Sequence, residues 1–162
     1  MALNYMGYLM SLIGKTVKVN RGGPDSITGT LLTVQSDYLA LRTKDGILYV
    51  NLTHVKSITE VGGAQRSFGT TGGVIIARNF NELLARLRQH FVQLNSGGPE
   101  KIEGFVADVG ASYLLLVSNK ELVRVPIFHI KSVRLAHPKS NSSDSSQDNQ
   151  NKSGGNRSGS SR

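Results

Sequence analysis

The sequence predicts a mainly β protein made of two tandem small β-barrels, each preceded by a short α-helix, with a disordered C-terminal tail. Three observations carry this. Gly22-Gly23-Pro24 recurs as Gly97-Gly98-Pro99, and His54-Val55-Lys56-Ser57 as His129-Ile130-Lys131-Ser132, both 75 positions on. Short runs with apolar residues at strand period alternate with turns bearing Gly, Asp and Pro. From Lys139 to Arg162 there is no aliphatic or aromatic residue.

The register between the copies is unbroken. Val17/Val92, Asn20/Asn95, Ile27/Ile102, Gly29/Gly104, Val34/Val109, Tyr38/Tyr113, Leu39/Leu114, Leu41/Leu116 and Val50/Val125 all fall on the same offset. Turn residues, apolar positions and one corner are therefore repeated together. The expected layout is a first helix and barrel over 1–60, a Gly/Thr-rich linker over 61–78, a second helix and barrel over 79–136, and a tail over 137–162.

In the first copy Leu3, Met6, Met10 and Ile13 recur at helical spacing, and a strand with alternating Val17 and Val19 follows. Gly22-Gly23-Pro24 is a hairpin turn, because glycine reaches the positive φ that other residues resist. Gly29 sits inside the next strand, where a small barrel must bend. Strands at 38–42 and 47–52 flank a Lys44-Asp45-Gly46 hairpin, and Thr53-His54 interrupts the pattern before a short fifth strand. A helix followed by five short strands fits a small barrel of the Sm-like or SH3-like kind.

The second copy repeats this order. Asn79 and Glu82 have capping-box spacing ahead of a stripe of Phe80, Leu83, Leu84, Leu87 and Phe91. Strands are expected over 90–95, 102–109, 113–118, 122–126 and 130–135. Lys120-Glu121 replaces Asp45-Gly46, which demands another turn type, and Pro126 points to a strand end or an exposed edge. Val74 to Ala77 could add an edge strand. The contrast of Tyr49 with Arg124 is read as an exposed position free to differ.

Composition narrows the function classes. The chain has 162 residues, no Cys and no Trp, so disulfides and Cys-based metal sites are excluded. Met1 to Ile13 is too short to cross a bilayer and lacks the pattern of a secretory signal, so no membrane association or export is expected. The formal net charge of +8 is dispersed over the sequence, which argues against sequence-specific nucleic-acid binding.

No catalytic, cofactor or metal site is expected. His54 beside Ser57, or His129 beside Ser132, could pass for a base with its nucleophile, yet neighbouring strand residues face opposite ways. A structural corner with each imidazole bonded to backbone is the reading adopted. Two imidazoles without carboxylates make a poor metal site, and the glycine turns lack phosphate-loop spacing. Tyr38, Tyr113, Phe105 and Phe128 could stack on bases, although core packing explains the two tyrosines more simply. In the tail, Ser140, Ser142, Ser143, Ser145, Ser146, Lys152, Arg157 and Arg162 could accept phosphate or bind anionic polymer or mineral.

The strings RGGPDSITGTLLTVQSDYLAL, ILYVNLTHVKSITE and NSGGPEKIEGFVADVGASYLLLV, followed by VPIFHIKSVRL, resemble the repeated module of the spore coat protein B family of endospore-forming Bacillus-type bacteria. The resemblance covers both repeats and much of residues 9–135, and its specific part is Gly22, Gly23, Pro24, His54, Lys56 and Ser57 with Gly97, Gly98, Pro99, His129, Lys131 and Ser132. It implies a non-enzymatic coat component, made in the mother-cell cytoplasm and deposited on the spore among other coat proteins, with self-association open. The His-x-Lys-Ser corner is also similar to the Sm-like RNA chaperones, so an Sm-like RNA-binding module is the alternative. A hydrolase using His54 or His129 ranks third.

Overall fold

The computed structural model describes residues 4–62 and 72–138; residues 1–3, the middle of the linker and the expected tail beyond Pro138 lie outside the described residues. The protein is mainly β. Helix α1 (Tyr5–Ser11) leads into strands β1 (Thr16–Val19), β2 (Ile27–Val34), β3 (Tyr38–Thr43) and β4 (Gly46–Asn51), a 3-10 turn (Leu52–His54) and β5 (Ile58–Glu60). Helix α2 (Phe80–Arg86), β6 (Phe91–Leu94), β7 (Ile102–Val109), β8 (Tyr113–Ser118), β9 (Glu121–Pro126), a second 3-10 turn (Ile127–His129) and β10 (Ser132–Leu135) repeat the series. Each element falls 75 positions after its counterpart, β10 alone beginning one residue early.

Duplication extends to irregularities. The β2–β3 register slips between Leu31 and Thr33, and the β7–β8 register between Val106 and Asp108. Just before each slip sits a glycine that another strand needs bare: a methyl on Gly29 would lie 2.6 Å from the Arg42 carbonyl oxygen, and one on Gly104 2.5 Å from that of Val117. Gly29 is thus required by close backbone approach, and the irregularity of this strand falls further on, between Leu31 and Thr33. Asn4 and Asn79 cap the two helices, accepting from Gly7 and Glu82 N–H at 2.7 and 2.8 Å. The Glu82 carboxylate accepts from Arg78 N–H and its guanidinium, at the residue before the cap, and these bonds hold it below the usual carboxylate range.

The copies differ from two separate barrels in how the strands pair. All ten form one open antiparallel sheet in the order β5-β1-β2-β3-β4-β10-β6-β7-β8-β9. The edge of β4 pairs with β10 of the other repeat, Val50 opposite Ser132 and Tyr49 opposite Val133. Each repeat therefore lends an edge to the other, leaving β5 and β9 outermost. Pro126 indeed lies on an edge strand.

Packing follows the same division. Leu9, Leu12, Val17, Val19, Leu31, Leu39, Leu41, Leu48 and Val50 form a cluster within the first repeat. The helix turns Leu9 and Leu12 inward with Met6 packed against them, while Met10 and Ile13 are exposed; of the expected stripe Met6 alone is seen on the core, and Leu3 lies outside the described residues. A second cluster joins Leu84, Leu87, Val92, Leu94, Val106, Leu114, Leu116 and Val133 to Tyr38, Ala40 and Tyr49 of the first repeat. Strands β3 and β4 are thus buried on both faces.

Residues 74–77 do not form a strand. They run over Tyr38 and Tyr49 instead: Ile75 N–H donates to the Tyr49 hydroxyl at 2.8 Å, and Ala77 N–H to that of Tyr38 at 2.8 Å. The Tyr38 hydroxyl donates in turn to the Ala77 carbonyl at 3.0 Å. Asn119 and Lys120 both take positive φ, 48° and 67°, the type I′ geometry that replaces the first hairpin.

Burial raises both tyrosine hydroxyls above their ordinary value. The folded state holds these protons more tightly than the unfolded chain, so their contribution is complete below about pH 10 and is lost as pH rises through the folded values. Tyr38→Phe should cost about 1–3 kcal/mol at neutral pH by orphaning Ala77 N–H. Thermal melts should also show a shallower alkaline loss of Tm in a Tyr38→Phe/Tyr49→Phe double variant than in the native chain.

Candidate functional site: the repeated corner and the seam between repeats

The corner begins with an asparagine at the end of the first strand of each repeat. Asn20 and Asn95 take φ of 57° and 54°, a left-handed conformation that asparagine tolerates better than most side chains. This turns the side chain back across the neighbouring strand. Asn20 Oδ1 accepts from Lys56 N–H at 2.7 Å, and Asn95 Oδ1 from Lys131 N–H at 2.7 Å. Asn20 N–H donates to the Ser57 carbonyl and Asn95 N–H to that of Ser132, at 2.8 and 2.9 Å. The serine hydroxyls accept from Arg21 N–H and Ser96 N–H, both at 3.2 Å.

In the His-x-Lys-Ser corner the lysine contributes backbone and the serine its hydroxyl and carbonyl to a latch on asparagine. Ser57 and Ser132 hydroxyls are held by backbone of the turn rather than by an imidazole. The histidines end the two 3-10 turns. His54 Nε2 donates across the seam to the Phe128 carbonyl at 2.6 Å, and its ring meets Phe128 edge-on at 6.0 Å. His54 thus has a backbone partner, but in the other repeat and not beside it, and among the described hydrogen bonds there is no counterpart for the His129 ring. His129 is exposed beside Phe128, which is 72% exposed. Among the described residues no three His, Asp or Glu side chains gather as metal ligands.

The glycine turns also meet. A methyl on Gly97 would run into the Pro24 carbonyl oxygen, whereas one on Gly22 or Gly23 would find nothing within 4 Å. Asp25 pairs with Lys131 at 3.2 Å, so the first repeat's turn seats on the second repeat's turn and corner. At the β4 end Asn51 N–H donates to the Lys131 carbonyl at 2.9 Å, and Asn51 Nδ2 to that of Ile130 at 3.1 Å. Asp37 accepts from Phe80 N–H at 2.7 Å, fixing α2 over β3.

Several seam residues were not singled out from sequence, among them Asn51, Asp25 and Asp37. Tyr49 was read as exposed and is 1% exposed; its contrast with Arg124 marks a covered face against an open one. Tyr113, assigned to core, is 45% exposed, while its counterpart Tyr38 is fully buried. Ser140, Ser142, Ser143, Ser145, Ser146, Lys152, Arg157 and Arg162 lie outside the described residues.

No protein-family model matches the chain. Spore coat protein B of Bacillus subtilis (strain 168) is 39% identical over 126 residues, a match covering 76% of this chain. The chain is similar to spore coat protein B across both repeats. It spans 33% of that relative's length, and the matched extent is large enough to require residues from both repeats.

The asparagine latch yields a direct test. Asn95→Ala removes the acceptor for Lys131 N–H and forces alanine into a left-handed φ, and should cost about 1–3 kcal/mol. Asn95→Gly, which keeps the backbone free to adopt that φ, should lose less. Denaturant midpoints of the two variants check the order.

Proposed function

We propose that this protein is a non-enzymatic structural component of the bacterial endospore coat, made in the mother-cell cytoplasm and deposited with other coat proteins. The observation that carries the reading is the placement of the duplicated residues. The shared Asn, Lys, Ser and Gly-Gly-Pro positions hold corners and turns, and the copies are joined by strand pairing and a common apolar cluster. The relative's name supplies the setting.

Each repeat is taken as a half-open, Sm-like or SH3-like barrel whose missing neighbour is the other repeat. Its residues 1–60 and 79–136 are the two modules, with 61–78 connecting them and 137–162 a tail. The serines and basic residues of that tail are the proposed acceptors of phosphate or ligands for anionic polymer or mineral.

A fluorescent fusion in a sporulating Bacillus-type host should collect at the forespore surface and remain with the extracted coat fraction. An even mother-cell signal throughout sporulation would overturn the reading. Deleting residues 138–162 should weaken adsorption to silica or polyphosphate in a salt-dependent manner; unchanged adsorption removes the tail from the mechanism.

A further inference from the structure

The seam inside the chain has two halves, and the repeat supplies a second, unused example of each. One half is the outer face of β3–β4 with the β4 edge; its counterpart is the outer face of β8–β9 with the β9 edge. Tyr38, Ala40 and Ile47 correspond to Tyr113, Leu115 and Leu122. The first three pack in or against the shared cluster, whereas Tyr113 and Leu122 are 45% and 54% exposed. The other half is α2 with the β10 edge; its counterpart is α1 with the β5 edge. Phe80 and Leu83, buried on Tyr38 and its neighbours, correspond to Tyr5 and Tyr8, 58% and 39% exposed.

Hydrogen-bond phase agrees. Ile127 N–H donates to the Ser112 carbonyl, and antiparallel alternation then turns the Leu122 and Arg124 backbone groups outward at the β9 edge. Asn20 N–H donates to the Ser57 carbonyl, which likewise turns Ile58 outward. Ile58 is the counterpart of Val133, and Arg124 of Tyr49, the pair opposed in the seam. Charge agrees as well: Asp25 and Lys131 correspond to Glu100 and Lys56. The turn that would receive Pro99 is open, with a cavity of about 300 Å³ lined by Asn20, Gly22, Gly23, Asp25 and Lys56 among others.

The geometry points to head-to-tail self-assembly, in which β9 and the Tyr113–Leu122 face of one copy receive β5 and α1 of the next. This rests on the building-block reading above and names its partner as a second copy of the chain. Because the contact is heterologous, repetition gives a closed ring or an open filament. The joint is weaker than the seam, since Pro126 stands where Asn51 makes two bonds across it and has neither the N–H nor the side-chain amide.

Light scattering of the 162-residue chain should show mass rising with concentration above the 17.5 kDa of one chain. Pro126→Asn should tighten association about tenfold by restoring hydrogen bonds. Tyr113→Lys and Leu122→Lys should each weaken it by a similar factor with unchanged circular dichroism. The native chain has no Cys, so Lys56→Cys/Glu100→Cys should oxidise to a ladder of linked chains. Lys56→Cys alone should form no linked pair. A mass fixed at one chain at the highest soluble concentration, with no ladder, overturns the inference; so does a dimer linked equally well by Lys56→Cys alone. Either failure leaves coat deposition of the fusion untouched, and an even cellular distribution would not abolish the ladder.

Discussion

The pairing of β4 with β10 is the constraint on which the rest of the structure depends. A repeat of some sixty residues is near the lower limit for a core of its own, and here the two share one sheet and one apolar cluster. Separated from the second repeat, the first would expose Tyr38, Ala40 and Tyr49, which are all buried in the joined chain, together with the backbone edge of β4. The second would uncover Phe80 and Leu83 on α2. Joining them gives the hydroxyls of Tyr38 and Tyr49 backbone partners in 75–77 and leaves no buried side-chain polar atom unpaired among the described residues. Apolar burial and polar satisfaction therefore point to the same arrangement, as a uniquely folded state requires.

The latch explains why the edges arrive in register. Asn20 and Asn95 end β1 and β6 in a left-handed turn and fasten the strand that follows each corner. In the second repeat that fastening fixes Lys131, whose carbonyl then accepts from Asn51 of the first. A local turn conformation is thereby coupled through a short run of backbone to the position of an edge strand. The lysine side chain is left free for a second task, and Lys131 uses it on Asp25. The serine hydroxyls are used within the latch and the Lys131 side chain across the seam, whereas the latch takes only the backbone N–H of Lys56.

Local features were readable from the sequence because their causes are local. Strand alternation, the helix cap at Asn79 and the edge placement of Pro126 each depend on backbone conformation or on one missing N–H. The two-residue offset between Asn20 and Gly22 likewise survives in both copies. The seam was not readable, because burial of β3 and β4 on both faces arises from contacts between repeats. A run such as Tyr38-Leu39-Ala40-Leu41 does carry a signal, being apolar at every position rather than at alternate ones. Its counterpart Tyr113-Leu114-Leu115-Leu116 is equally apolar yet covered on one face only, so the pattern marks capacity for two-sided contact and not its occupancy.

The differences between the copies concentrate where one is covered and the other open. Tyr49 against Arg124 and Asn51 against Pro126 replace seam residues by a charge and a proline on the free edge, substitutions that discourage indiscriminate strand addition. Tyr113 and Leu122 nevertheless keep apolar character on the adjoining face, and Glu100 keeps the sign of Asp25. An edge made poorer in hydrogen bonds but still shaped for one partner favours correct addition over general aggregation. Within a chain the short connection holds the two halves of the seam at high effective concentration, so it forms with folding. The outer joint lacks that tether and forms only where copies accumulate, which separates folding in dilute solution from assembly at a crowded surface.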